Sequence, residues 1–312
     1  MRQRNHSAVE FPTLNTVIIA GIILGAISLL LTTTFRSLTP ASLWSDYVFY
    51  AVEIIVYLGA ALLCWRNWQY SQLVSARSIW FWFGVGCFSY TLGVFFFAYW
   101  ELILEREPDV SLGDPFFIGT TLFWLVGMLV AVQFRGISLD GGQGIILACV
   151  SLISIWLGWL VANPSEATAA PRLFSEREFP RPGFLLSQMA QAAPTSQTEQ
   201  TPQWVIAVEN ALTPLVGLIN LSYVAGDILL LVMATAIVLT FWGGRFSTTW
   251  TFVASGFFFF YLADMVYAFV VINGSYDAVN FGFLDSLWTL TGILLAIGAA
   301  KEYDLSFRRL RR

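Results

Sequence analysis

Five carboxylate side chains, Glu53, Asp114, Asp227, Asp264 and Asp285, interrupt long apolar runs of this 312-residue chain. An acid inside a hydrocarbon layer is costly, faces a bundle interior or a wet cavity, and by default marks a functional site. No Lys or Arg stands near these five in the same runs. Each acid must therefore be protonated, hydrogen-bonded to a group such as Tyr57, Tyr90, Tyr261 or Tyr267, hydrated, or bound to a cation. Glu53, Asp227 and Asp264 lie in mid-run, where they serve either as interhelical hydrogen-bond partners or, with Tyr90 and Tyr261, as the lining of a ligand or cation pocket. Asp114 and Asp285 open their runs. A carboxylate there caps a helix by accepting backbone N–H bonds at the positive end of the helix dipole, or forms the rim of the same pocket.

Other chemistries lack their residues. The one histidine, His6, stands outside the apolar runs, so a bis-His haem, a His-based metal site and a catalytic His are all excluded from them. The one lysine, Lys301, ends a run, which leaves no buried lysine for a retinal Schiff base. Cys64, Cys87 and Cys149 show no metal-ligand spacing and are expected to pack as small apolar residues. No metal or cofactor is expected. The pairing of Tyr261-Leu-Ala-Asp264 with Gly282-Phe-Leu-Asp285 departs in spacing from the paired aspartates of presenilin-type proteases, and no Pro-Ala-Leu motif follows. A net charge of −4 offers no basic surface for nucleic acid.

The elements that must position the acids are membrane helices. Residues are 57% hydrophobic and 12% charged, with a mean hydropathy of +0.69, far from soluble composition. A bilayer core about 30 Å thick takes about 20 apolar residues per helix. Eight stretches qualify, near 15–34, 46–66, 79–100, 115–134, 143–161, 222–242, 249–272 and 283–300. The first lacks a small-residue cleavage site after Phe35-Arg36 and reads as a retained span. With both termini cytoplasmic, eleven of the 16 basic residues fall inside: Arg2, Arg4, Arg66, Arg77, Arg135, Arg245, Lys301, Arg308, Arg309, Arg311 and Arg312. This orientation places all five acids in the outer half and leaves the inner half without a continuous polar path. That counts against a pump or pore.

Internal similarity groups the spans. Gly21-Ile-Ile-Leu-Gly-Ala-Ile-Ser-Leu29 resembles Gly144-Ile-Ile-Leu-Ala-Cys-Val-Ser-Leu152, at an offset of 123. Leu38-Thr-Pro40 and Glu53 recur as Leu212-Thr-Pro214 and Asp227 at an offset of 174. Tyr90 and Tyr261, Asp114 and Asp285, Thr120 and Thr291, and Gly127 and Gly298 share an offset of 171, in which Asp264 matches Gly93. The expected fold is an all-α integral membrane protein of eight transmembrane helices in two parallel four-helix repeats, 1–141 and 142–312. A Pro/Ala/Ser/Gln-rich run makes 162–205 a flexible extracytoplasmic loop, and 301–312 a basic cytoplasmic tail. Gly21/Gly25 and Gly144/Ala148 read as small-xxx-small packing pairs. In the tail, Arg308, Arg309, Arg311 and Arg312 anchor topology, meet anionic lipid or contact a partner.

Ser111-Leu-Gly-Asp-Pro-Phe-Phe117 and Phe283-Leu-Asp-Ser-Leu-Trp-Thr-Leu-Thr-Gly292 resemble helix openings in bacterial multi-helix membrane sensor regions that precede diguanylate cyclase or histidine kinase domains. Asp114, Asp285 and Trp288 carry the match. The resemblance implies a non-enzymatic sensor or accessory subunit in a bacterial plasma membrane, or a thylakoid-type inner membrane. With Arg312 ending the chain, its output is expected from a protein partner, met at the tail or the extracytoplasmic loop. Ala225-Gly-Asp227 before an apolar run is similar to the eight-helix lysoplasmalogenase-like family and implies the alternative of a membrane-embedded lipid hydrolase. A cation or small-molecule transporter is the third reading.

Overall fold

The computed structural model describes residues 12–35, 43–105, 110–162, 201–242, 244, 247–272 and 282–310. Among them all regular structure is helical: α1 (Leu14–Leu30), α2 (Leu43–Gln69), α3 (Arg77–Ala98), α4 (Gly113–Arg135), α5 (Gly141–Ala162), α6 (Gln203–Leu212), α7 (Val216–Thr240), α8 (Ser247–Ile272) and α9 (Phe283–Leu310). One π-helical turn extends α1 over Leu31–Phe35 and another extends α3 over Tyr99–Ile103. Eight of these helical stretches are long and apolar enough to cross a membrane, with α6 and α7 counted as one. Exposed Ile22, Ile145 and Leu152 on α1 and α5 are each about two-thirds accessible, a surface suited to lipid rather than water.

Antiparallel neighbours build the bundle. α3 packs on α2 and α4, and α8 packs on α7 and α9. These two triplets meet along two seams, α2 with α9 and α4 with α7, while α1 lies on α9 and α5 lies on α7 and α8. Glycines set the close approaches. A Cβ at Gly127 would stand 2.6 Å from the Phe83 ring, and one at Gly298 would stand 3.0 Å from Val253, so the last helix of each triplet seats closely on its middle helix. At the seams, a Cβ at Gly226 would meet Thr121 at 2.5 Å and one at Gly292 would meet Val56 at 2.7 Å. Gly21 is equally tight against Ile293. Its expected counterpart Gly144 has no atom within 4 Å of a built Cβ, so the second small-residue pair does not pack a helix.

The end of the bundle where α9 finishes, here the tail end, is locked by the turn between α2 and α3. Asn67 donates to the Ala299 carbonyl at 2.8 Å, Ser75 N–H donates to Glu302 Oε1 at 3.0 Å, and Val74 N–H donates to Ser306 Oγ at 3.2 Å. Tyr70 packs on Tyr303 with ring centroids 4.9 Å apart. Residues 301–310, expected as a tail, therefore continue α9. No Gly or Pro interrupts them, cations occupy the last turn at the negative dipole end, and Arg308 pairs with Asp304 one turn earlier at 2.9 Å.

Two further boundaries differ from those expected. The sixth apolar stretch is helical from Gln203, inside the segment expected as loop, and its main helix α7 begins at Val216 rather than near 222. That helix, α6, buries Val205 fully, sets Trp204 edge-on to Trp100 at 5.4 Å, and accepts from Trp100 Nε1 through Glu209 at 3.1 Å. These anchors order the last turns before α7. Residues 163–200 of the expected loop, Leu38-Thr-Pro40, and Arg311 and Arg312 lie outside the described residues. Cys64 and Cys87 are buried as packing residues, whereas Cys149 is exposed on the outward face of α5.

Candidate functional site

Every expected acid stands toward the end of the bundle opposite the tail. On α2, Glu53 is buried and accepts through Oε1 from the Tyr90 hydroxyl of α3 at 2.9 Å. Glu53 and Tyr90 thus form one of the hydrogen bonds offered by the sequence for these acids, and both are enclosed within the bundle. Tyr90 stacks on Tyr57, with centroids 3.8 Å apart, and the Tyr57 hydroxyl donates to the Trp288 carbonyl of α9 at 2.9 Å. Gly292 makes that bond accessible. A Cβ there would stand 3.1 Å from the Tyr57 ring.

Across the α2–α9 seam the other two mid-run acids form a pair. Asp264 of α8 and Asp227 of α7 lie within interaction range of one another. Asp264 Oδ1 accepts from Trp288 Nε1 at 2.6 Å. Asp227 is fully buried, and its carboxyl faces that of Asp264 closely enough for one proton to be shared between them, while no other group donates to its oxygens. The Thr121 hydroxyl of α4, next to Gly226, is buried without a hydrogen-bond partner. The Thr121 hydroxyl at the α4–α7 seam and the Asp227 carboxyl beside Asp264 are thus buried polar groups that no backbone group satisfies. Buried polar groups are nearly always satisfied, so the Asp227–Asp264 pair must share a proton or take up a donor or a cation.

Tyr261 departs from the expected pocket. Its hydroxyl donates to the Ser154 carbonyl of α5 at 3.3 Å, and its ring packs with Val161, Leu231 and Met265 in a small side cluster, although it remains within electrostatic reach of Asp227. The 171-residue match with Tyr90 fixes the helix position. It does not fix which neighbour the hydroxyl finds, because α5 lies against α8 while α1 does not occupy the corresponding place beside α3.

Asp114 caps the start of α4 and also bonds across to α7. Its Oδ2 accepts from Ser111 N–H at 2.7 Å, while Ser111 Oγ accepts from Gly113 N–H at 3.1 Å, a reciprocal pattern that satisfies the start of α4. Its Oδ1 accepts from the Tyr223 hydroxyl of α7 at 2.8 Å, which joins the triplets. Asp285 occupies the first turn of α9 within electrostatic reach of Glu53 and Tyr50. Tyr50 donates to Glu101, an ordered partnership that sequence spacing did not indicate.

Towards the tail end the cluster rests on an aromatic floor. Trp124 packs against Phe257 at 5.2 Å and Phe260 at 5.3 Å, and its ring parallels Tyr57 at 6.4 Å. Phe83 packs edge-on to Phe257 below. Among the described residues, no group of three or more His, Cys, Asp or Glu side chains is placed to hold a metal ion.

Replacing Tyr90 with Phe should cost about 1–3 kcal/mol of stability, because it deprives a buried carboxyl of its donor. Thermal melting in detergent measures this. In a double-mutant cycle with Glu53→Gln the two losses should be less than additive; strict additivity would show that the pair does not interact.

Compared with known proteins, the chain matches no family model, no curated protein and no solved structure.

Proposed function

We propose that this chain is a non-enzymatic membrane sensor or accessory subunit that binds a small monovalent cation at Asp227 and Asp264 and reports it through α9. The continuity of α9 is the observation that carries this reading. At one end it donates Trp288 Nε1 to Asp264 and accepts Tyr57 at the Trp288 carbonyl. At the other, its Ala299, Glu302 and Ser306 hold the α2–α3 turn. A 28-residue helix spans about 42 Å, so a shift of Trp288 reaches Arg309 along one rigid element.

The chemistry supports a cation because the Asp227 carboxyl has no donor besides the neighbouring Asp264 carboxyl, and a small cation can replace the proton the pair would otherwise share. Two carboxyls with no third acidic ligand suit a single positive charge better than a divalent ion. The aromatic floor of Trp124, Phe257, Phe260 and Phe83 obstructs passage and favours sensing over transport.

In this reading the acids face the extracytoplasmic side, and both chain ends are cytoplasmic in a bacterial-type plasma membrane. The two halves are related copies. The paired seats of Gly127 and Gly298 and the corresponding α4–α7 and α9–α2 seams support that relation. Arg308 and Arg309, exposed at the tail end, are where a protein partner reads the position of α9. Sodium, potassium and N-methylglucamine as chloride salts, compared by thermal melting of the purified full chain at constant ionic strength, test the binding step. A small cation should raise the melting midpoint relative to N-methylglucamine; identical midpoints in all three would refute a cation site.

A further inference from the structure

At the tail end, Arg66 in the last turn of α2 is buried, with a relative exposure of 7%. The guanidinium carbon lies over the Tyr303 ring of α9, 4.0 Å from the centroid. Its Nε and Nη2 are enclosed and have no hydrogen-bond partner. Those two nitrogens form one edge of the guanidinium, whose parallel N–H bonds match two oxygens of a single oxyanion. The contact with Tyr303 holds the guanidinium in place, and its Nε and Nη2 edge is left to be satisfied.

The surroundings indicate which oxyanion. Trp65, the adjacent residue, is about half exposed and packs on Trp68 at 4.6 Å, and Trp68 packs on Phe81 at 5.1 Å. Aromatic residues of this kind at helix ends mark the level of lipid headgroups. Basic side chains gather at the same end, with Arg77 opening α3 and Lys301, Arg308 and Arg309 on α9. Basic sites between helices at headgroup depth suit lipid phosphates.

We propose that Arg66 and Tyr303 form a phosphate site between α2 and α9, in which the Nε and Nη2 edge of Arg66 holds two phosphoryl oxygens. The phosphate belongs to an anionic phospholipid headgroup or to a soluble phosphate. Its occupation braces α2 against α9 beside the Asn67–Ala299 bond. The site is independent of the cation reading, because it lies at the opposite end of the bundle and shares no residue with the acids.

The test is native mass spectrometry of the full chain in detergent, titrated with phosphatidylglycerol, with a phosphate-free galactosyl diacylglycerol, and with inorganic phosphate as competitor. Native protein should retain phosphatidylglycerol about tenfold more tightly than Arg66→Gln, and Arg66→Lys, which keeps the charge but loses the fork, should fall between them. Gln203→Ala, an exposed change at the opposite end of the bundle, should bind like the native chain. Displacement by inorganic phosphate assigns the site to soluble phosphate, and resistance to it assigns the site to the lipid. Equal retention of the galactolipid, or equal affinity of native and Arg66→Gln proteins, overturns the proposal. Should Arg66→Gln fail to fold, Tyr303→Leu keeps the donor edge while removing the contact that holds it, and unchanged phosphatidylglycerol retention in that variant refutes the site.

Discussion

Replacing both Asp227 and Asp264 with Asn should leave the chain folded and abolish its stabilisation by small cations. Asn has nearly the shape of Asp, and paired amides can hydrogen-bond to one another and still accept from Trp288 Nε1, so the bundle keeps its packing. The lost charge removes the attraction for a cation. Two charge-assisted contacts of about 1.5–3 kcal/mol each correspond to at least a hundredfold loss in affinity. A cation at a hundred times its dissociation constant stabilises a folded protein by about 2.7 kcal/mol, and the double variant should forfeit that increment. Melting in sodium and in N-methylglucamine reads it directly. A double variant that retains the full cation-dependent shift would place the ion elsewhere.

The second large effect belongs to Gly292. Leucine there would drive its Cβ into Val56 and the Tyr57 ring, which stand 2.7 and 3.1 Å from that position. Overpacking alone costs about 1–3 kcal/mol. Displacing Tyr57 also breaks its bond to the Trp288 carbonyl and leaves a buried hydroxyl unpaired, for about another 1–3 kcal/mol. Gly292→Leu should therefore melt far below the native chain. Gly144→Leu is the control, because no atom lies within 4 Å of a Cβ there and the substitution should change stability by less than about 0.5 kcal/mol. Equal melting of the two variants would contradict the close seam between α2 and α9.

The helices and the acids were legible in the sequence because hydropathy and charge act locally. Runs of about 20 apolar residues have few alternatives to a membrane-spanning helix, and the acids inside them are conspicuous against such a background. Pairing was less legible. Glu53 and Tyr90 lie on adjacent antiparallel helices, and their meeting follows from a short hairpin. Asp227 and Asp264 do the same in the second half. Tyr261 matches Tyr90 in register but bonds Ser154, because a different helix lies beside it. Gly21 and Gly144 share a local sequence context, yet only Gly21 faces a helix. Which stripe of an all-apolar helix faces protein and which faces lipid is not encoded in hydrophobicity, since both environments are apolar.

The clamp at the tail end escaped sequence reading for a related reason. Asn67, Ser75, Glu302 and Ser306 are ordinary polar residues at helix ends, and nothing in their spacing says that positions about 230 residues apart will meet. Arg66 read as a topology signal. Its burial over Tyr303 depends on α9 continuing beyond Lys301, which the cationic composition of that segment concealed.

The central claim, that cation occupancy at Asp227 and Asp264 moves α9, is tested most directly by a distance measurement. Spin labels at Gln72→Cys, in the α2–α3 turn, and Arg309→Cys, near the end of α9, placed in a Cys149→Ala background, report how the tail sits against the first half. Changing sodium for N-methylglucamine should shift the distance distribution between them, and Asp227→Asn with Asp264→Asn should hold it fixed in both salts. A distribution unchanged by sodium in the native pair, or one that shifts equally without the two aspartates, would contradict the account.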